Sequence, residues 1–545
     1  MTPATATPPA ATSDTVVLPA DSNQALGIGE FACKFMRGEI GKPAESVYKR
    51  TEQFFVDAVL CGLSALALGT NAPTVLRNEA LDYPAPDGKP GATVFGSSQR
   101  CYPEKAILAN NSAVREWDSN GTNFGYEPSL GHTAGEFGHN DFYAVPVAAA
   151  QIKGLDGAAA LRGMILLDEI RGRLASVFSL KTYKIDHVVH GAIASAATYG
   201  AMMGATPEEI ESAIGMVVAH YIPFRAIRAG KQLSDSKGAS AAISSEVAIM
   251  AMNRSMRGFV GPKDIFRNPE AIFRLFEPTG PINQPAPCPF DLVLAHSGEN
   301  FMVMGMHFKL GLYEHQSAGA IQAMLDMLSA NPSLLEDPEG GNIKTIEILA
   351  YEPAFGIIGD PAKKDPRTRQ SADHSMAYIV STLLRKALEK KQSGELPLPT
   401  GEGRGEGSSS DSNSAAWMQL MLAPEDYSND ALFHPVTRKL MEKIEFSHGG
   451  AEYDSRYPDG IPTSVVVTDA NGTKHDSGLV MYPAGHARNT EAPLEQILDH
   501  KFRLLGALAT KDVDGLIQRF TNLRDKSAND VATMNDFELV VTGGF

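Results

Sequence analysis

The hydrophobic pattern of this chain changes at a proline-rich segment, residues 278–290, and that change limits the folds that the chain can adopt. Before the segment, apolar residues recur at helical spacings of one, three and four, as they do from Phe54 to Leu66. After it, strand-like runs occur at residues 343–351, 464–469 and 478–483. The pattern therefore predicts a mainly α fold, in which an all-helical part is followed by an α+β part.

Local signals predict the ends of several elements. The helix expected over residues 188–203 is crowded with small residues, which permit close helix packing. Thr206 precedes Pro207 and Glu209, a combination that predicts a capping box at the start of another helix. Asn471 followed by glycine predicts a type I′ hairpin between the last two strand-like runs. Further helices are predicted at residues 144–180, 238–257, 315–330 and 373–391.

Composition and periodicity divide the chain into four parts. Residues 1–22 are rich in Ala, Pro and Thr, and we expect a disordered leader. Residues 23–285 are predicted to form a helical domain, and residues 286–488 an α+β domain. Helical periodicity then returns, so residues 489–545 are assigned to the helical domain. Within the α+β domain, the polar low-complexity segment 392–416 is predicted to be a disordered insertion.

The composition excludes some partners and cofactors. The 545 residues carry a formal net charge of −16, which argues against nucleic acid or an anionic membrane surface as the partner. A small anionic substrate remains compatible if its pocket is locally cationic. The four cysteines lie far apart, without the close spacing that zinc or iron–sulfur sites usually need, so we expect no metal and no cluster. The most apolar segment, residues 54–69, is too short to span a bilayer, and the leader lacks signal-peptide features. We therefore expect a cytoplasmic protein with buried free thiols.

The stretch from Arg115 to Asp141 is the first candidate for a functional site. Glycine lets a backbone turn and lets a ligand come close, and a loop this long inside a compact domain favours a function. A long surface loop whose polar residues only form turns and caps is the structural alternative. The acids, imidazoles, hydroxyls and amides concentrated there are Asp118, Asn120, Thr122, His132, Glu136, His139 and Asp141.

Further clusters carry groups suited to proton transfer or carboxylate binding. The guanidinium forks of Arg225 and Arg228 can bind carboxylates bidentately, and Lys237 at a helix start can be tuned for proton transfer. Each cluster has a structural alternative: core imidazoles for His187, a solvated basic face for the arginines, and an N-cap for Asp373. The clusters are Lys184–His190, Arg225–Lys237, Tyr313–His315, Arg367–Tyr378 and Tyr482–Arg488.

In this order, the clusters resemble the motifs of the 2-methylcitrate dehydratase and cis-aconitate decarboxylase family, also called MmgE/PrpD. The resemblance runs from about residue 25 to the C-terminus, apart from residues 392–416. The chain departs from the family pattern at Gly121, where the family has a second acid, and in a longer loop before Glu136. The matching motifs are Trp117–Thr122, Glu136–His139, Asp186–Val188, Arg225 with Arg228 and Lys237, Asp373–His374 with Tyr378, and Tyr482–Arg488.

The resemblance implies a large all-helical domain formed by both chain ends, with a smaller α+β lid domain inserted between them. It also implies a homodimer that needs no metal or organic cofactor and acts on a small di- or tricarboxylate. The leading activity is 2-methylcitrate dehydration to 2-methyl-cis-aconitate in propionate catabolism, which the dehydratase-like segment Phe355–Ile358 favours. Decarboxylation of cis-aconitate to itaconate and epimerisation or isomerisation of a related acid remain alternatives. A carboxylate-binding scaffold on the same fold is the alternative outside enzymes.

Dehydration of a 2-hydroxy tricarboxylate needs a base for the proton α to a carboxylate, an acid for the departing hydroxyl, and cations that stabilise the developing charge. His139 and His187 are the predicted proton-transfer pair, with base and acid unassigned and His132 as the rival of His139. Lys237 is predicted to be a carboxylate anchor or acid, and Asp118 to orient the substrate or a histidine. The remaining predicted substrate-binding residues are Thr122, Arg225, Arg228, His374, His486 and Arg488.

Overall fold

The structure is a computed structural model that describes residues 14–126, 134–228, 232–396 and 409–545. Its first half is built almost entirely from helices: α1 Gln24–Met36, α2 Glu45–Ala67, α3 Asn71–Leu81, α4 Pro103–Arg115, α5 Ala144–Lys153, α6 Gly157–Val177, α7 Val188–Met203, α8 Pro207–His220, α9 Asp235–Ser255 and α10 Ile272–Phe276. The later helices are α11 Ala318–Ala330, α12 Arg369–Ala372, α13 Met376–Gln392, α14 Ser409–Leu420, α15 Asn429–Leu432, α16 Pro435–Met441, α17 Gly450–Asp454, α18 Leu494–Ala509, α19 Val513–Phe520 and α20 Ala528–Thr533.

Helix α7 is the centre of the helical part, where it contacts α1, α5, α6, α8 and α9. Every residue from Val188 to Gly200 is buried, so this helix has no solvent-exposed face along most of its length. Small residues make that packing possible: a Cβ atom at Gly200 would lie 2.7 Å from the sulfur of Met252. The predicted small-residue helix is confirmed, and its bounds are those expected.

The C-terminal helices return to the helical part, as predicted. Helix α18 packs against α2, and α20 packs against α5. Lys501 is buried and donates to Asp57 at 2.6 Å and to the carbonyl of Ser119 at 2.7 Å. Asp57 is fully buried within the apolar segment 54–69 and would be an uncompensated charge without this lysine. The helical part therefore draws on both chain ends, and the structure is mainly α with small sheets.

Helix α2 contains the most apolar segment of the chain. Among the residues that the structure describes, no single helix combines the length and apolar character needed to cross a bilayer; α2 and α3 meet those two conditions only as a pair bent by 91°. Cys61 on α2 is buried, as are Cys33, Cys101 and Cys288, and all four are free thiols, as expected.

The strands form one four-stranded sheet and three two-stranded pairs. The larger sheet has the order β10-β9-β7-β8, with β7 parallel to β8 and the other pairs antiparallel. The strands are β1 Thr15–Leu18, β2 Ala92–Thr93, β3 Arg100–Cys101, β4 Thr122–Asn123, β5 Gly138–His139, β6 Leu292–Ala295, β7 Ile343–Ala350, β8 Ile444–His448, β9 Thr463–Asp469 and β10 Lys474–Asp476.

A hairpin at Asn471 is confirmed, but its turn is not the predicted type I′, because, of Asn471 and Gly472, only Gly472 has a positive φ, at +86°. Its second strand is also not where we expected it. The tight turn brings Lys474 opposite Thr468, so pairing begins directly after the turn. Gly478 has a φ of +69° and turns the chain away, and beyond it only Val480 forms an isolated bridge. The strand predicted at residues 478–483 is therefore wrong, because turn geometry fixes the register earlier in the chain.

The predicted disordered leader is wrong for residues 14–22. Residues 15–18 form β1, which pairs antiparallel with β6, so that Thr15 lies opposite Ala295. The carbonyl of Ala20 then accepts from the backbone of Cys288 at 2.8 Å. Backbone hydrogen bonds to residues 288–295 thus order residues whose composition is typical of disorder. Residues 1–13 lie outside the described residues, and the domain bounds remain a prediction.

The segment 392–416 is also ordered at both ends. Leu396 is buried, and residues 409–416 belong to α14. Next to them, Trp417 is buried and its indole donates to Gln322 at 2.9 Å. The prediction of disorder is therefore wrong for residues 392–396 and 409–416, where helix ends and buried apolar groups hold the chain. Residues 397–408 lie outside the described part of the chain.

Of two capping signals, one is confirmed and one is wrong. Thr206 accepts from the backbone of Glu209 at 3.2 Å, and the Glu209 carboxylate accepts from the backbone of Thr206 at 2.8 Å. Asp373 is not the N-cap of α13, because the hydroxyl of Ser375 occupies that role and accepts from Tyr378 at 3.3 Å. The Asp373 carboxylate makes other contacts, which belong to the candidate site.

Candidate active site

The stretch from Arg115 to Asp141 folds back on itself as a short hairpin. Strands β4 and β5 pair Thr122 with His139, and the Thr122 hydroxyl donates to the carbonyl of Gly138 at 2.9 Å. Thr122 therefore helps to hold β5 in register and so places His139. Residues 127–133, which include His132, lie outside the described residues, so the choice between His132 and His139 stays open.

Asp118 is fully buried and gathers basic side chains from distant parts of the chain. It contacts Arg115, accepts from Lys309 at 2.6 Å, and lies 3.1 Å from Nε2 of His374. Lys237 is 3.7 Å away. The φ of Asp118 is +52°, a left-handed conformation that Asp adopts more readily than most residues. This conformation lets the Asp118 carboxylate contact Arg115 on α4 as well as Lys309 and His374 in the second half of the chain.

His139 and His187 form a pair of buried imidazoles, with ring centroids 5.1 Å apart. Arg115 Nη2 lies 3.3 Å from Nε2 of His139, and Arg228 Nη2 lies 3.4 Å from Nε2 of His187. Burial, together with the charge of Arg115, holds the pKa of His139 well below its usual value. Burial does the same to the pKa of His187, where Asp186 opposes it and Arg228 reinforces it. Both rings are therefore neutral at neutral pH.

Asp186 fixes one of the two arginines beside the imidazoles. Its carboxylate accepts from Nη2 of Arg228 at 3.3 Å, contacts Nε of the same residue, and accepts from the backbone of Val188 at 3.3 Å. Burial raises the pKa of Asp186, but Arg228 and His187 lower it by more than burial raises it, so the pKa lies well below its usual value. Asp186 is therefore ionised and holds Arg228 against His187.

A second network links Lys237 to the cavity through His374. Lys237 donates to Asp373 at 3.0 Å, and Nδ1 of His374 lies 2.6 Å from the same carboxylate oxygen. His374 then reaches Asp118 through Nε2. Burial lowers the pKa of Lys237 to about 7, with Asp373 acting in the opposite direction. The neighbouring Arg369 also donates to Asp373, at 3.1 Å, so two cations hold this acid in place.

These groups surround one cavity that is lined by both halves of the chain. Of the predicted site residues, Asp118, His139, His187, Arg225, Arg228 and His374 line it. Lys237 lies behind Asp118 and Asp373 and is not part of the lining. Its predicted role as a carboxylate anchor or acid stays a prediction, and its position favours a part played through Asp118 and Asp373. The full lining is Arg115, Asp118, Phe137, His139, His187, Arg225, Arg228, Glu314, Gln316, Ile357, Lys363 and His374.

Three predicted substrate-binding residues lie outside this cavity. The His486 ring stacks on His307, with centroids 4.0 Å apart. Arg488 pairs with Asp459 and lines a separate, wider groove between α11 and the segment before α18. Thr122 is used in the hairpin, as described above. These three residues do not line the cavity that holds the imidazole pair, and their part in substrate binding stays a prediction.

Sequence reasoning missed several groups that line or support the cavity. Glu314 had a signal that we did not use, since it flanks the candidate His315. Its carboxylate accepts from the backbone of Gln316 at 2.8 Å, and burial raises its pKa while Lys309 opposes the rise. Lys309 had a weaker signal, a lone lysine within an apolar run. The other lining residues not predicted as site residues are Arg115, Phe137, Gln316, Ile357 and Lys363, of which Arg115, Phe137 and Ile357 lie in stretches that the sequence had singled out.

The segment that favoured dehydration contributes one apolar side chain. Ala354–Ile358 forms a π-helical turn, a feature that often occurs at functional sites. Within it, Ile357 lines the cavity, whereas Ile358 is buried in the core. Together with Phe137, Ile357 gives the otherwise charged cavity an apolar part of its wall.

Packing explains why Gly121 departs from the family pattern. A Cβ atom at this position would lie 2.5 Å from the ring of Phe54. That ring is itself stacked on Phe308, with centroids 3.9 Å apart, and cannot move aside freely. An acid at position 121 would therefore collide with the core, and position 121 is not part of the cavity lining.

One group of residues has donors close enough together to hold a metal ion. Asp118, Asp373 and His374 each offer a ligand atom, and these atoms lie within 4.8 Å of one another. The same carboxylates contact Lys237 and Lys309, whose positive charge opposes a further cation. The donor set thus suits an ion-pair network better than a metal site, and the absence of a metal stays a prediction.

Comparison with known proteins identifies relatives of this chain. Residues 29–284 match the model of the MmgE/PrpD N-terminal domain, so this part of the chain is an MmgE/PrpD N-terminal domain, and the resemblance carried by the motifs is confirmed. The 2-methylcitrate dehydratase of Escherichia coli (strain K12) is 23% identical over 486 residues, covering 84% of this chain and 85% of its own. The 2-methylcitrate dehydratase of Cupriavidus necator is 24% identical over 477 residues, with the same coverage of 84% and 85%. A cis-aconitate decarboxylase-like protein, oryM of Aspergillus oryzae, is 22% identical over 355 residues, covering 62% of this chain and 68% of its own.

Proposed function

We propose that this protein is a lyase that removes water from a citrate-like tricarboxylate without a metal or organic cofactor, with 2-methylcitrate as the leading substrate. Relatives named 2-methylcitrate dehydratase, which align over most of the chain, support the proposal. The observation that carries it is the pair of neutral imidazoles, His139 and His187, each beside an arginine in one cavity. This arrangement offers two proton-transfer groups and two carboxylate-binding groups around one point.

The two arginines suit the carboxylate next to the reacting carbon. A carboxylate held by Arg115 and Arg228 places its α-carbon beside both imidazoles. One neutral ring then takes the α-proton. The other ring, protonated once the negative charge of the substrate has raised its pKa, gives its proton to the departing hydroxyl, so that water leaves and a carbon–carbon double bond forms. Between loss of the α-proton and loss of the hydroxyl, negative charge builds on the bound carboxylate. A positioned donor stabilises such charge by about 3 kcal/mol.

Substrate binding makes the imidazoles better bases. In the ligand-free protein, burial and nearby cations hold their pKa values low, with Arg115 acting on His139. A polyanion in the cavity offsets the positive charge, so the pKa of each ring rises towards neutrality. A general base works best when its pKa is near the working pH. NMR titration of the histidines with and without the unreactive tricarballylate should show this upward shift.

His374 is the third imidazole of the cavity, and we assign it a part in substrate binding. It is held between Asp373 and Asp118, and Lys237 is paired with the first of these acids. With its two nitrogens beside these carboxylates, the ring is held in one orientation at the cavity wall. Its role is to orient the substrate, while His139 and His187 transfer protons.

Turnover of a panel of acids tests the proposal. Purified protein is incubated with 2-methylcitrate, citrate and cis-aconitate, and the conjugated alkene is followed by absorbance. His139→Asn and His187→Asn should each lower kcat/KM by about 100-fold or more. His220→Asn is the matched control, because His220 is exposed at the end of α8 and should leave kcat/KM unchanged. Normal turnover in both site variants, or no turnover of any acid by the wild type, would contradict the dehydratase proposal.

Product analysis separates the alternatives. NMR of the products distinguishes an alkene formed by loss of water from itaconate formed by loss of carbon dioxide. Epimerisation would give solvent-proton exchange at the α-carbon without an alkene, and a scaffold would bind without turnover. The homodimer and the cytoplasmic location stay predictions, and light scattering of the purified protein checks the first.

A further inference from the structure

Two cations at the cavity, Arg225 and Lys363, have no carboxylate partner among the described residues. Nη1 of Arg225 is buried and has no hydrogen-bond partner there. The other cations around the site are compensated: Arg115 by Asp118 and Asp141, Arg228 by Asp186, Lys237 by Asp373, and Lys309 by Asp118. The contrast singles out two charges that lack a counterion.

The two cations come from opposite parts of the chain, and each stands on a short 3-10 helix. Arg225 begins the short 3-10 helix Arg225–Arg228, and its backbone N–H donates to the carbonyl of Lys184 at 2.8 Å. Lys363 ends the 3-10 helix Pro361–Lys363, which Asp360 caps by accepting from the backbone of Ala362 at 2.8 Å. Both side chains line the same cavity as the imidazole pair.

The charge of each cation is unfavourable in the ligand-free protein. Burial lowers the pKa of Arg225, and Arg228 lowers it further. Burial also lowers the pKa of Lys363, although Glu314 opposes the change. Glu314 does not form an ion pair with Lys363, and its carboxylate already accepts from Gln316. A desolvated cation without a partner is stabilised when an anion binds to it.

We infer that Arg225 and Lys363 together bind a second carboxylate of the ligand, distinct from the one beside His139 and His187. The cavity therefore selects molecules with at least two carboxylates, and one ligand joins residues from both halves of the chain. The statement that the other carboxylate lies next to the reacting carbon rests on the proposed function. Binding of a carboxylate by Arg225 and Lys363 does not require turnover. Lys363 is thereby assigned a role in substrate selection.

Binding of tricarballylate, measured by calorimetry, tests the inference. Lys363→Met and Arg225→Met should each weaken its binding by about 10- to 100-fold, the scale of a lost hydrogen bond to a charged group. Lys364→Met is the matched control: it removes the same charge one residue away, where the side chain donates to the carbonyl of Ile444 instead. That variant should bind tricarballylate like the parent.

Unfolding of the ligand-free protein gives an independent readout. Because Lys363 has no partner there, Lys363→Met should leave the free energy of unfolding unchanged or raise it, while the stabilisation by added tricarballylate falls. A structural role for Lys363 predicts the opposite, a less stable free protein.

The outcomes separate this inference from the proposed function. Parent-like tricarballylate binding by Lys363→Met, a destabilised ligand-free variant, or no binding by the wild type at millimolar concentrations would each overturn the inference. If the wild type binds tricarballylate through these cations but converts no acid, the inference stands and the dehydratase function fails. If the acids are converted and KM is unchanged in Lys363→Met, only the inference fails.

Discussion

The ammonium group of Lys237 lies 3.0 Å from the carboxylate of Asp373, and that carboxylate lies 2.6 Å from His374 at the cavity wall. Lys237 therefore acts on the site through an acid and an imidazole rather than by lining the cavity. Its charge compensates Asp373 in a buried setting, and this keeps His374 oriented towards Asp118.

Replacing Lys237 should impair turnover strongly. Lys237→Met keeps most of the side-chain length but removes the charge that compensates Asp373, so we expect kcat/KM to fall by about 100-fold, the scale of one lost positioned group. Lys391→Met, on the exposed end of α13, is the control. Near-normal kcat/KM in a folded Lys237→Met protein would remove Lys237 from the site.

The buried Lys237 should also make stability depend on pH. Its pKa is about 7 in the folded protein and about 10.4 in an unfolded chain. Between these values the unfolded chain binds more protons, so this group makes the free energy of unfolding rise with pH across that window, by at most about 1.4 kcal/mol per pH unit. Below pH 7 the ammonium is charged in both states, and the full cost of burying it remains. Urea unfolding of the wild type and Lys237→Met from pH 6 to about pH 10 measures the difference, and a flat difference contradicts the prediction.

Filling position 121 should destabilise the protein. A Cβ atom there would lie 2.5 Å from the ring of Phe54, so Gly121→Ala should lower the free energy of unfolding by about 1–3 kcal/mol. Gly305→Ala, where a Cβ atom has no neighbour within 4 Å, is the control. In a double-mutant cycle with Phe54→Leu, the two changes should be less than additive. Full additivity would show that Phe54 is not the obstacle.

The polar insertion should be dispensable only in its middle. Residues 397–408 consist largely of Gly, Pro and Glu and cannot bury much apolar surface, so deleting them should leave the melting temperature and turnover close to the parent. Deleting 392–416 also removes the buried Leu396 and Ala416 and should lower the melting temperature clearly. Equal melting temperatures for the two deletions would contradict this.

Activity should not depend on a metal. The donors of Asp118, Asp373 and His374 lie close together, but their carboxylates contact Lys237 and Lys309. We therefore expect turnover to persist in EDTA and metal analysis to find no stoichiometric metal in active protein. Stoichiometric zinc or iron, with activity lost on chelation and restored by metal, would falsify the prediction.

The sequence predicted those parts of the site that lie in short motifs. Asp118, His139 and His187 were found because acids and imidazoles cluster in two stretches whose spacing is fixed by the local chain. Lys363 could not be found in this way, because it lies among charged residues of the kind that usually face solvent. Only the tertiary fold of the second half of the chain brings it to the cavity. His486 and Arg488 show the limit of motif reasoning: their motif is intact, but His486 stacks on His307 and neither residue lines this cavity.

The sequence by itself determined the helical first half, the presence of a hairpin at Asn471 and the resemblance to MmgE/PrpD proteins, because periodicity, turn chemistry and motif order are local properties of the chain. Only the tertiary structure decided which charges are paired and which are not. It placed Lys237 behind Asp373 and left Arg225 and Lys363 without partners among the described residues. The physical reason is that charge compensation depends on distances between groups far apart in sequence, which only the packing of both halves around one cavity can set.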